Sequence, residues 1–183
     1  RKCYLFNTKS QVWILDENGK DVQGYPLTMK APASTVVSVV DFDKNLKFNY
    51  FVCCENGSVY GFDLYGRALD GWNPQANVGN AAGPVLHFQH NGKDYLAVLN
   101  KAGLLSVFGR DGKPRFPALT LNGTFSNAPL LDKSGAKPRI ICISREGRIY
   151  ACDLTGKLQE LTWPGKVSGP VHKTLALNGA GAS

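Results

Sequence analysis

The sequence predicts an all-β chain built from about four β-propeller blades, each a sheet of four antiparallel strands. Three observations predict it. A motif of constant length recurs four times along 183 residues. Apolar strand-like segments flank each copy at matched intervals. No segment carries helical apolar spacing over three turns. Four-stranded units repeated at an interval of about 45 residues read as radial blades, whereas a β-sandwich would not explain the matched intervals.

The motif segments are 10–19, 57–66, 103–112 and 147–156. Their third positions are Val12, Val59, Leu105 and Ile149, and their sixth are Leu15, Phe62, Phe108 and Cys152. Asp16, Asp63 and Asp153 then open four-residue turns that end at Gly19, Gly66 and Gly156, with Gly109-Arg110-Asp111-Gly112 as a variant. An aspartate at the first turn position accepts hydrogen bonds from turn amides, and a glycine at the fourth tolerates the left-handed conformation that sends the chain back as a hairpin. These aspartates are expected to be structural, which removes them as catalytic acids.

After each turn comes an aromatic residue and a proline: Tyr25-Pro26, Trp72-Asn73-Pro74, Phe116-Pro117 and Trp163-Pro164. Proline donates nothing to a ladder, so it is expected at the end of an outer strand. Upstream of each motif is a strand containing Tyr4-Leu5-Phe6, Tyr50-Phe51-Val52, Tyr95-Leu96-Ala97 or Ile140-Ile141-Cys142. Between each proline and the next such strand lies one more, at 36–40, 84–88, 129–131 and from Pro170. Several strands are apolar on both faces, as stacked sheets require.

The ends of the sequence define the expected domain, residues 1–177 as one propeller or part of one, with 178–183 as a flexible tail rich in glycine and alanine. The chain opens in a second strand and ends in a first strand. Either those two ends share a blade and close a four-bladed ring, or the chain is an arc of a larger propeller, completed by further sequence or a second copy. The abrupt start favours the arc.

Charge and cysteine content narrow the functions. The formal net charge is +7, and all of the excess lies after residue 100, where 12 basic residues face 5 acidic ones. Basic residues stand singly in turns, without the runs or Arg-rich helix of a nucleic-acid binder, so nucleic acid is not the expected partner. The residue after each turn glycine is Lys20, Arg67, Lys113 or Lys157. Such a basic rim would suit an acidic partner or an anionic surface, although exposed hairpins also accept Lys and Arg freely. Five cysteines form no CxxC pair, and they are expected to be buried, reduced thiols.

No catalytic or cofactor-binding set is complete. Asp41-Phe42-Asp43-Lys44-Asn45 has the alternating oxygens of a calcium loop, but Leu46 stands where glycine is needed, so Asp41, Asp43 and Asn45 remain a weak metal candidate. His87, His90 and His172 belong to no HExxH motif or catalytic triad. Neither metal nor cofactor is expected.

The hairpins Val59-Tyr60-Gly61-Phe62-Asp63-Leu64-Tyr65-Gly66 and Ile149-Tyr150-Ala151-Cys152-Asp153-Leu154-Thr155-Gly156 resemble the blade signature of the quinoprotein-like propeller superfamily. The likeness is greatest to bacterial cell-envelope propellers and extends over nearly the whole chain. It implies a propeller in the periplasm or cell envelope, against a cytoplasmic alternative suggested by free thiols. Quinoprotein dehydrogenases hold their cofactor with a dedicated ligand set and Ca²⁺, commonly beside a vicinal disulfide; Cys53-Cys54 is vicinal, but no ligand set accompanies it. The expected function is therefore a non-enzymatic binding or scaffold module that recognises a protein partner through propeller loops. A quinoprotein-type oxidoreductase, a carbohydrate-active propeller and a structural spacer within a longer envelope protein are the alternatives.

Overall fold

A computed structural model describes residues 3–162. Blade one contains β1 (Cys3–Asn7), β2 (Gln11–Asp16) and β3 (Leu27–Thr28), and blade two contains β4 (Ser38–Val40), β5 (Asn49–Cys53) and β6 (Val59–Phe62). Blade three holds β7 (Leu86–His90), β8 (Lys93–Leu99), β9 (Leu104–Phe108) and β10 (Leu119–Thr120). Blade four holds β11 (Leu130–Asp132), β12 (Arg139–Ile143), β13 (Ile149–Cys152) and β14 (Leu158–Leu161). Each strand pairs antiparallel with its neighbour in sequence, and no helix occurs among the described residues. The expected strand from Pro170, Trp163-Pro164 and the tail 178–183 lie outside the described residues.

Strand alternation gives every blade two apolar faces. The downstream face of blade one (Leu5, Val12, Ile14) packs on the upstream face of blade two (Tyr50, Val52, Tyr60). The downstream side of blade two (Val40, Phe51, Cys53, Val59) meets Leu96, Val98 and Phe108 of blade three. Ala97, Leu99, Leu105 and Val107 then meet Ile140, Cys142, Tyr150 and Cys152 of blade four. The hydrophobic core therefore lies in three layers between blades.

The turn aspartates act as expected. Asp16, Asp63 and Asp153 each accept two backbone amides with one oxygen, from Asn18 and Lys20, Tyr65 and Arg67, and Thr155 and Lys157, at 2.8–3.0 Å. In the variant turn, Asp111 at the third position accepts the Lys113 amide at 3.2 Å. The closing glycines all have φ between +74° and +89°.

The aromatic-proline segment does more than end a strand. The outer strand begins with a single bridge after the turn, at Asp21, Ala68 or Pro114, breaks, and resumes at β3, at Gln75 or at β10. The proline therefore sits inside a broken outer strand, because its missing donor and the preceding tight turn interrupt the ladder. In the break, the aromatic ring reaches the turn of the next blade. Tyr25 Oη donates to the Asp63 carbonyl at 3.0 Å, and Trp72 Nε1 donates to the Arg110 carbonyl at 2.8 Å. Phe116 lies so close to Gly156 that any side chain there would overlap its ring. Each motif is thus stitched to the next, and Gly71 and Gly112 approach so tightly that neither has room for a Cβ.

Candidate functional site

In blades two, three and four the hairpin joining the first two strands opens on the same side as the turn that follows the third strand. In blade two this hairpin is long, 41–48, and it carries the proposed calcium-loop residues. Asp41 accepts the amides of Asn45 at 3.1 Å and Leu46 at 2.9 Å with its two carboxylate oxygens. Asn45 Oδ1 accepts the Lys47 amide at 3.0 Å, and Asp43 forms an ion pair with Arg110 at 2.8 Å. The three side chains thus serve different partners, and among the described residues no three His, Cys, Asp or Glu side chains gather as metal ligands.

Asp41 instead shapes the loop. Lys44 and Leu46 adopt φ of +53° and +64°. A left-handed conformation costs a non-glycine residue roughly 1–2 kcal/mol, and here it turns an isobutyl side chain into solvent, 73% exposed. Leu46 stands at the mouth of a cleft of ≈ 680 Å³ between blades one and two, lined by Leu5, Ile14, Val22, Phe48 and Leu64. Val39 and Tyr65, also at its edge, are 52% and 56% exposed. Asp16, Asp21 and Gln23 give the cleft one polar wall.

The other flank of the loop is anchored to blade three through a buried carboxylate. Asp94, 5% exposed, lies 2.8 Å from His87 Nε2, accepts Gln89 Nε2 at 3.0 Å and accepts Arg110 Nε at 2.9 Å. Gln89 also donates to the Phe42 carbonyl, and the Arg110 guanidinium lies over the Phe42 ring, 4.6 Å from its centroid. Arg115 clamps the backbone, donating to the Asp94 carbonyl through Nε at 3.0 Å and Nη2 at 2.6 Å. Burial pushes the Asp94 carboxyl up, but the hydrogen bonds from His87, Gln89 and Arg110, with the arginine's charge, outweigh it and hold the group below the usual carboxylate range. Asp43 and Asp94 hold Arg110 firmly charged despite the opposing effect of burial.

Sequence reasoning passed over this cluster. Its signal was the hairpin centred on Asn91-Gly92, which sets Gln89 opposite Asp94 and so brings His87 onto the same sheet face. A carboxylate at the start of the apolar run Asp94-Tyr95-Leu96-Ala97-Val98-Leu99 needed a partner for that reason.

Lys20, Arg67, Lys113 and Lys157 occupy equivalent, exposed positions, and their amides bind the turn aspartates. They are not four separate cations: Arg67 Nε bonds Asp63 at 2.7 Å, Lys113 pairs with Asp111 at 3.8 Å, and Lys157 helps to lower the Asp153 pKa. The thiols are free, and Cys53, Cys54, Cys142 and Cys152 are buried. Cys3 is exposed, contrary to expectation, because the strand that carries it has no packed neighbour on its inner side among the described residues. Burial, the main cause, pushes the Cys53, Cys142 and Cys152 thiols up to about 12 and Cys54 to about 11.

No family model and no curated protein matches this sequence. Solved structures do. The chain superposes on BBS1N, crystallised in complex with ARL6DN and soaked with lead, with a TM-score of 0.64 and 13% identity over 90% of this chain and 51% of that one. A mercury-soaked crystal of the same complex gives 0.62 and 15%, covering 90% and 50%. The computationally designed Ika8 protein gives 0.56 and 15%, covering 88% and 46%. The chain therefore spans about half the length of these structures. At such identities the likeness concerns the fold, which is a β-propeller.

Proposed function

We propose that this chain is a non-enzymatic recognition module that takes an apolar segment of a partner protein at the cleft between blades one and two, with Leu46 as its principal contact. The observation that carries this reading is Leu46 itself. Leu46 combines a left-handed backbone with an exposed apolar side chain beside an apolar cleft, and such backbone outliers cluster where ligands bind. The cleft wall is largely hydrophobic, as protein-recognition surfaces are at their centres. BBS1N, similar in fold, was crystallised in complex with another protein, which supports a binding role. With the quinoprotein-like hairpins, we extend the reading to a module of the cell envelope.

Replacing Leu46 by glycine tests the proposal, because it keeps the left-handed backbone and removes only the side chain. The variant should be more stable by about 1 kcal/mol. Its affinity for a partner captured by photocrosslinking from position 46 and then purified should fall by at least about 10-fold, the loss expected when one leucine is no longer buried. Binding should change little between low and high salt. Unchanged affinity in Leu46→Gly, or binding that high salt and Lys113→Glu with Lys157→Glu abolish, would refute the cleft in favour of the basic rim. A stoichiometric chromophore or turnover in the purified protein would refute the non-enzymatic reading.

A further inference from the structure

Leu46 lines the cleft between blades one and two, but its hairpin is held from the other side. Among the described residues, every hydrogen bond and ion pair that 41–48 makes outside its own blade goes to blade three. Gln89 donates to the Phe42 carbonyl, and Arg110 Nη1 pairs with Asp43 at 2.8 Å. Phe42 is the pivot. It is 6% exposed, and its ring stands edge-on to Phe51 of blade two and His87 of blade three, with centroids 6.1 and 5.3 Å away. The Arg110 guanidinium covers its face at 4.6 Å.

One carboxylate aims both grips. Asp94 Oδ1 accepts Gln89 Nε2 at 3.0 Å and lies 2.8 Å from His87 Nε2, and its Oδ2 accepts Arg110 Nε at 2.9 Å. Gln89 and Arg110 are thereby fixed relative to each other. Past Asp43 the turn is bonded mainly within itself: Asp41 and Asn45 accept amides of the same hairpin, around the left-handed Lys44 and Leu46. Such bonds keep the shape of the turn, but they do not decide where it stands. Its place beside the cleft is set at Phe42 and Asp43, where blade three grips it.

We infer that Arg110, Gln89 and Asp94 are positioning residues for recognition at the cleft: they hold the 41–48 hairpin so that Leu46 stands at the cleft mouth. Blade three thereby sets the affinity of a site between blades one and two. This positioning role rests on the reading of Leu46 as the principal contact. None of the three residues lines the cleft, so their effect passes through Leu46. That bounds it, since release of the grip can weaken binding by no more than removal of the Leu46 side chain does. An exposed hairpin with one set of outside ties also opens locally at lower cost than the blades do.

Two measurements on the 183-residue chain test the inference. Trypsin cuts after Lys44 and Lys47 only when the hairpin leaves the body of the protein. Arg110→Ala and Gln89→Ala should each speed cleavage there at least about 10-fold, while cleavage after Lys101, in the turn between β8 and β9, keeps its wild-type rate. Affinity for the partner captured from position 46 should fall about 3- to 10-fold in Arg110→Ala, and hardly further when that change is added to Leu46→Gly, because residues that act through one contact are not additive. Arg110→Lys should restore neither readout, since an ammonium lacks the planar fork that joins Asp43 to Asp94. Should Arg110→Ala melt below the assay temperature, Asp43→Asn combined with Gln89→Ala carries the same comparison. Unchanged cleavage after Lys44 and Lys47, cleavage that rises equally after Lys101, or an affinity loss that adds in full to that of Leu46→Gly would each overturn the positioning role. Wild-type affinity in Arg110→Ala alone would overturn only that role, whereas wild-type affinity in Leu46→Gly would overturn it together with the reading it rests on.

Discussion

Trp72 is where the blade-to-blade stitch is easiest to measure. Its side chain is fully buried, meets Phe51 and Phe108 edge-on with centroids 4.9 and 5.4 Å away, and donates one hydrogen bond to the next blade's turn. Trp72→Phe keeps an aromatic ring but removes the donor and part of the volume. A net hydrogen bond contributes about 1 kcal/mol, and a small cavity adds to the loss, so the cost should be roughly 1–2 kcal/mol. Trp72→Ala removes the whole contact and should cost about 3–5 kcal/mol. Tyr25→Phe, which deletes only the hydroxyl that donates to Asp63, should cost about 1 kcal/mol. For a chain of this size each kcal/mol lowers the melting temperature by about 2–4 °C. Circular dichroism should therefore rank Trp72→Ala as the most damaging change, Trp72→Phe next and Tyr25→Phe last. If Trp72→Ala cost no more than Tyr25→Phe, the layer between blades two and three would not be held by this ring and the stitch would be wrong.

Asp94→Asn should destabilise the protein by about 2 kcal/mol, an effect moderated because Arg110 is half exposed and water takes part of its charge. Because the folded pKa of Asp94 lies below its unfolded value of about 3.9, its contribution is present above that pH and is lost as pH falls through the lower folded value; the urea midpoints of wild type and variant should therefore differ at neutral pH and converge at acid pH. Of the five thiols, Cys3 should react at once with a thiol reagent and the other four only on unfolding, since burial keeps those four protonated; immediate reaction of two or more would contradict the packing. Gly71→Ala should cost more than about 2 kcal/mol, because a Cβ would overlap the Asp111 carbonyl at a φ of +77°, while Gly19→Ala, with open space around it, should cost only the roughly 1 kcal/mol of its φ; equal melting temperatures would refute the close approach.

The parts of the candidate site that were legible are those governed by local spacing. The Asp-x-x-Gly turns and their basic neighbours were found because one aspartate oxygen and one glycine φ are decided within five residues. The Asp41 hairpin stood out for the same reason, and Leu46 at its glycine position was visible as an anomaly. Its consequence was not, because only packing places Leu46 beside Leu5 and Ile14 from another blade. Asp94 was missed because its partners stand 5, 7 and 16 residues away, two on the facing strand of its own hairpin and one in the turn after β9.

By itself the sequence determined the all-β class, the four repeats, the strand order within each blade and the turn chemistry. All of these follow from periodicity, hairpin register and backbone preference over short distances. Tertiary structure alone decided that the aromatic-proline segment breaks the outer strand and reaches the next blade, that Arg110 bridges Asp43 and Asp94, and that Leu46 meets an apolar cleft. The pattern along a strand names its two faces, but what covers a face depends on where neighbouring blades lie in space, and no local preference carries that information.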